Sequence, residues 1–147
     1  MSVSIHGGWA SNNPPTELAY KLHKAVQAWS DETGHVIRDA LKAETPVRTG
    51  TLRGSERYTR TFPGDTVRLE FTAHTSYAPY VIDGTRPHEI WATSARALRW
   101  TGPGGVHFAK HVHHPGTAPN DFPGRVLDEF RDQVIADLVE KIQDVLN

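Results

Sequence analysis

The stretch TVRLEFTAH, residues 66–74, decides the fold. Val67, Leu69 and Phe71 alternate with Arg68, Glu70 and Thr72, so an extended chain here has one apolar and one polar face. A period of two is a half-buried strand; a helix needs apolar residues at three- and four-residue steps. Pro63-Gly64-Asp65 just before it is turn chemistry. Leu52–Phe62, rich in Arg, Thr and Tyr, reads as the partner strand. The result is a hairpin with one buried face, and other elements must cover that face.

The flanks supply the cover. Leu18, Leu22, Ala25, Val26, Trp29, Val36, Ile37, Ala40 and Leu41 recur at helical steps, which predicts a first helix from about Thr16 to Glu44. At 1.5 Å per residue it is ~40 Å long. Pro46 ends it, because the residue before a proline avoids the α region, and Gly34 is expected to loosen its middle. At the other end Asn120 or Asp121 can cap a last helix whose first turn suits Pro123. Its stripe is wide, running from Val126, Leu127 and Phe130 through Val134, Ile135, Leu138, Val139 and Ile142 to Val145 and Leu146. Between the helices, Tyr77–Ile82, closed by Gly84, reads as a single helical turn. A second hairpin is expected at Leu98–Thr101 and His107–Val112, around Gly102-Pro103-Gly104-Gly105. Residues 1–15, with Gly7, Gly8, Pro14 and Pro15, read as a flexible arm. The expected class is α+β: long N-terminal and C-terminal helices packed on a small antiparallel β-sheet with β-hairpins, in one domain of residues 16–147.

Composition narrows the function classes. The chain has 147 residues, enough for one core, with a low apolar share (37%), 12 glycines and 10 prolines, so substantial loops and surface reserved for a partner are expected. It has no cysteine, which excludes disulfides and thiolate metal sites and fits a reducing compartment. No apolar run approaches the ~20 residues of a membrane span. The first residues lack the charged-then-apolar layout of a signal peptide, and a chain cytoplasmic when made is expected. Charge is uneven. Residues 48–119 carry nine Lys/Arg against five Asp/Glu, and residues 120–147 three against seven. A basic middle and an acidic end can meet head to tail between copies. The middle is too weakly basic for a dedicated nucleic-acid binder.

The candidate chemistry begins with His111, His113 and His114 in FAKHVHHPGTAPNDF, residues 108–122. On a strand His111 and His113 share a face. A His-x-His pair can ligate zinc or copper when a third or fourth ligand exists, with His107, His88 and Glu89 as available donors. No His-Glu-x-x-His frame fixes such a geometry, and hydrogen-bonding imidazoles in a tight loop are the favoured reading. Ser55, Ser76 and Ser94 lie outside any Gly-x-Ser-x-Gly elbow. The acid pairs Asp31-Glu32 and Asp128-Glu129 read as helix surface, and Gly102–Gly105 lacks the Lys-Ser/Thr of a phosphate loop. Arg53, Arg57 and Arg60, with Tyr58 among them, could touch phosphate; an exposed polar strand face explains them equally.

Three Gly/Thr turn units resist such bland readings: TPVRTGTLRGS at 45–55, SYAPYVIDGTRPH at 76–88 and HHPGTAPNDF at 113–122. Without a nucleophile constellation they suggest a shaped surface rather than a reaction centre. Their residues also carry a resemblance. Pro46, Val47, Thr49, Gly50, Leu52 and Ser55 form one motif, and Tyr77, Ala78, Tyr80, Val81, Gly84 and Thr85 a second. Pro87, His88 and Ile90 form a third, Ala97, Leu98 and Trp100 a fourth, and Val112, His114, Pro115, Gly116, Thr117, Pro119 and Phe122 a fifth. In this order over residues 16–147 they resemble the tail-completion, or head–tail connector, proteins of siphophage necks. Two departures touch charge: Ile82-Asp83 stands where such proteins often have a glutamate, and WATSARAL replaces a lysine-rich segment.

The resemblance implies a non-enzymatic virion part without cofactor or metal, located in the virion neck after assembly in the host cytoplasm. Copies would form a ring, six by the sixfold tail or twelve at the head-proximal side. The ring would sit between head connector or stopper and tail terminator or tube, with DNA passing through unread and no membrane involved. The expected inter-subunit residues are Arg53, Arg57, Arg96 and Arg99 against Asp128, Glu129 and Asp132. The rivals are a tail terminator capping the tube and, more distantly, a His-based metallohydrolase.

Overall fold

A computed structural model describes residues 2–6, 16–63 and 66–147. These divide into two compact units, residues 1–78 with 121–147, and residues 79–120.

The first unit is built on α1 (Glu17–Glu44). Thr16 caps it, its hydroxyl accepting from Ala19 N–H at 3.3 Å. At the other end Thr45 turns extended ahead of Pro46, while its N–H still donates to Leu41 O at 2.9 Å. A short helix α2 (Thr51–Ser55) follows, then β2 (Glu56–Thr61) and β3 (Thr66–Ala73), with β1 (Ser2–His6) on the far side of β3. Both neighbours run antiparallel to β3, with Tyr58 opposite Phe71, Arg60 opposite Leu69 and Val3 opposite Leu69. The last helix, α4 (Phe122–Leu146), is capped by Asp121, whose carboxylate accepts from Gly124 N–H at 2.9 Å, with Pro123 in its first turn. It packs along α1, and α1 packs in turn on β2 and β3. The two helices run antiparallel, bridged by the ion pairs Arg125–Glu44 (3.8 Å) and Lys141–Glu32 (3.4 Å). The core lies where these elements meet: Val26, Trp29, Ile37 and Leu41 of α1, Leu52 of α2, Val67, Leu69 and Phe71 of β3, and Phe122, Val126 and Val134 of α4. The alternation in residues 66–74 is the burial alternation of β3.

Several local expectations are corrected. Leu52–Ser55 is helix rather than strand, which lets Leu52 turn into the core. Gly34 does not loosen α1, which runs unbroken; Gly34 is buried and leaves room for the Tyr58 ring. Tyr58 and Arg60 do not lie on an exposed polar face. Tyr58 donates to Asp31 Oδ1 at 2.9 Å, and Arg60 Nη1 donates to Gln27 O at 2.6 Å, so both bind β2 to α1. The expected arm of residues 1–15 divides: Ser2–His6 is strand, and residues 1 and 7–15 lie outside the described residues. Gly64 and Asp65 of the expected turn also lie outside them.

The second unit holds most of α3 (Ala78–Ile82) and two ribbons: β4 (His88–Trp91) with β7 (His111–His114), and β5 (Leu98–Gly102) with β6 (Gly105–Ala109). The single strand expected over His107–Val112 is broken at Lys110, where the chain bends. Residues 111–114 pair with β4 instead, a strand that the sequence reading omitted. No described residue from 79 to 120 is buried.

Candidate functional site

The second unit is organised by two of the Gly/Thr turns clasping each other. Thr85 N–H donates to Thr117 O at 3.0 Å, and Thr117 N–H donates to Thr85 O at 3.1 Å. The threonine hydroxyls lie 3.1 Å apart, and Thr85 Oγ1 also accepts from Thr117 N–H at 3.0 Å. Gly84 and Gly116 precede the threonines at φ 72° and 87°. A Cβ on Gly84 would overlap Thr117 O, and one on Gly116 would overlap Thr85 O. Both the backbone angle and the close approach therefore require glycine. Asn120 N–H closes the knot on Ile82 O at 2.9 Å, and His114 Nδ1 accepts from Gly116 N–H at 3.1 Å. Of the turn residues read from sequence, Gly84, Thr85, His114, Gly116 and Thr117 thus meet in one place, flanked by Pro115 and Pro119. Pro46, Thr49, Gly50 and Leu52 belong to the other unit, where Thr49 and Thr51 hydroxyls lie 2.9 Å apart and Gly50 leads into α2 at φ 79°. Tyr77 and Tyr80 are exposed.

The clasp launches the β4–β7 ribbon. Its register places Glu89 opposite His113 and Trp91 opposite His111 on one face, and His88 opposite His114 on the other. Glu89 receives both imidazoles, Oε1 from His113 Nδ1 at 2.6 Å and Oε2 from His111 Nε2. The hydrogen bond from His113, reinforced by that from His111, holds the exposed Glu89 carboxyl below the usual carboxylate range. Trp91 stacks on His111 at 4.0 Å between centroids, and His88 on His114 at 5.0 Å. His111 and His113 are thus occupied as cross-strand partners of one carboxylate. Among the described residues no group of three or more His, Cys, Asp or Glu side chains could hold a metal ion. The Glu89 bridge was missed because β4 was missed; the signal for it was the facing tetrapeptides HEIW and HVHH.

What the unit offers chemically is surface. Tyr80, Trp91 and Phe108 are each more than 60% exposed, with Trp100 and Val106 also uncovered. The first unit leaves Ile135, Val139 and Leu146 of α4 exposed, so only part of the wide stripe faces α1. The charged residues expected at an interface are dispersed: Arg53 on α2 and Arg57 on β2 with Asp128, Glu129 and Asp132 on α4 in the first unit, Arg96 and Arg99 in the second, all exposed. Arg57 Nη1 donates to Gly54 O and Glu56 O, each at 2.8 Å, and Asp128 pairs with Arg131 of its own helix. The acid pair Asp31-Glu32 serves α1 packing, Asp31 accepting from Tyr58 and Glu32 meeting Lys141. No helix of the described residues is long and apolar enough to cross a membrane.

Residues 16–84 match the family model described as "Bacteriophage HK97-gp10, putative tail-component". The stretch takes in α1, α2, β2, β3 and α3, and so all of the first sequence motif and the second up to Gly84. On it the resemblance to phage tail-completion proteins stands. No curated protein and no solved structure matches the chain.

Proposed function

We propose, with residues 16–84 taken as those of a phage tail component, that the protein is a structural virion part whose copies form a ring in the neck. The ring joins the head connector to the tail and leaves a lumen through which the genome passes unread. The single observation that carries this is the family match over residues 16–84. Two physical features support it. Exposed aromatic side chains on a unit without buried residues, and an apolar edge left open on α4, are surfaces that water disfavours and neighbours would cover. The opposite charge balance of residues 48–119 and 120–147 suits a heterologous contact, in which one patch meets a different patch on the next copy. Such contacts close into rings when the rotation permits, and the tail's symmetry sets six copies, or twelve on the head side. The activity is association: side chains position neighbours, and none is assigned a bond-making role.

Deleting the gene in the phage tests this. Filled heads and separate tails that fail to join are expected by electron microscopy, with infectivity lost. Joined, infectious virions at normal yield would overturn the neck role. Tails of uncontrolled length would point instead to a tail terminator.

A further inference from the structure

Two exposed faces of this chain each set a charge beside an apolar patch, with opposite signs. The first runs along α4. Asp128, Asp132, Ile135, Val139, Ile142 and Leu146 follow one another at steps of four and three residues, which places them in one line along the helix. Ile135, Val139 and Leu146 are 54%, 48% and 60% exposed. The buried positions Phe122, Val126 and Val134 occupy a different line, the one packed inward. The exposed line has the heptad spacing of a helix seam, headed by two carboxylates and otherwise apolar.

The second face is on the β5–β6 hairpin. Its alternation puts Trp100 and His107, stacked at 5.5 Å, on one side. Arg99, Thr101, Val106 and Phe108 are on the other, with Arg99 opposite Phe108 and Thr101 opposite Val106. Phe108 is 66% and Val106 47% exposed. A cation therefore stands beside a ring at the ~5 Å spacing of a cross-strand pair. On α4 a carboxylate, Asp132, stands beside Ile135 at the ~5–6 Å spacing of an i,i+3 pair.

We infer that the Arg99–Phe108 face of one copy's hairpin docks on the Asp132–Ile135–Val139 line of the next copy's α4. Phe108 and Val106 cover the apolar seam, and Arg99 meets Asp132. Asp128, already held by Arg131 on its own helix, contributes less. Apolar burial supplies the affinity and the charge pair sets the register. A second copy is the occupant because both complementary halves are present in one chain and both are uncovered in it. A contact between two different patches propagates head to tail, as a ring requires. The inference rests on the ring reading only for the identity of that occupant.

Disulfide trapping tests it, since the chain has no cysteine of its own. Thr101→Cys and Val139→Cys lie within the contact and leave Arg99, Phe108, Asp132 and Ile135 in place. Introduced together into the phage gene, they should yield, on oxidation of purified virions, a reducible ladder of multimers that neither single variant gives. Virions that incorporate the chain but give no ladder would overturn this surface while leaving the virion role intact. A disulfide closed within one chain would also overturn it. Absence of the wild-type chain from virions would overturn both. Charge exchange gives a readout independent of the cysteines. Asp132→Arg and Arg99→Asp should each lower incorporation at least about tenfold, because like charges then face each other, and the two together should restore it. Failure of the double variant to recover, with each variant folded by circular dichroism, would refute the pairing.

Discussion

Gly34 illustrates a residue whose worth is set by a distant partner. In a bare helix, alanine at this position would be favoured by ~1 kcal/mol. Here the new methyl would overlap the Tyr58 ring, which is anchored by its hydroxyl on Asp31 and flanked by His35 at 5.1 Å. Overpacking a filled site costs ~1–3 kcal/mol, so packing should outweigh propensity. Gly34→Ala is therefore expected to lower stability by about 1 kcal/mol in urea denaturation; a stabilised variant would show that Tyr58 moves aside freely. Gly84 and Gly116 carry two burdens, positive φ and contact with a facing carbonyl. Gly84→Val or Gly116→Val should each cost ~1–3 kcal/mol from the backbone angle alone, with more from the overlap. Because this strain falls on residues 79–120, amide exchange in β4 and β7 should quicken first. Unchanged exchange there would show that the clasp does not hold the ribbon.

At the scale of elements, the joint between α1 and β2 is the most heavily constrained. Thr45 closes α1 by donating its hydroxyl to Leu41 O at 2.6 Å and lies against Glu56 Oε1, the first residue of β2. Burial pushes the Glu56 carboxyl above its usual range, with Thr45 and then Lys42 and Arg53 pulling it back in part. A carboxyl raised on folding contributes stability that is present in acid and lost as pH rises through the raised value. Glu56→Gln keeps a hydrogen-bonding side chain against Thr45 without the charge. It should therefore be at least as stable as the wild type near pH 7, with the gap closing as the wild-type carboxyl protonates. Denaturation midpoints of the two proteins at neutral and acid pH would decide; a variant less stable at neutral pH would mean that the charge itself holds the joint.

For the whole molecule, the acids of α4 are where folding and the proposed assembly are expected to separate. Asp128, Glu129 and Asp132 are exposed, and the pairing of Asp128 with Arg131 is a surface ion pair worth ~0–1 kcal/mol. Reversing all three to lysine should leave the thermal midpoint within a few degrees while blocking incorporation into virions. Incorporation at the wild-type level would mean that the acidic end is only a solvated face.

The sequence by itself determined what depends on near neighbours. Residues three or four apart specify α1 and α4, residues two apart specify β3, and Thr16, Pro46, Asp121 and Pro123 mark helix ends close to where they fall. The first motif and most of the second likewise carried the resemblance to a phage tail component that the match over residues 16–84 bears out. Tertiary structure decided whatever joins residues far apart in the chain. Gly84 with Thr117, Gly34 with Tyr58 and Glu89 with His111 and His113 are separated by more than 20 residues, and no local period encodes their register. The same holds for α4: its stripe is legible as apolar, but only packing on α1 divides it into an edge that is buried and one that is left open. A periodicity states which side chains avoid water, whereas the partner that removes them from water is chosen by the fold.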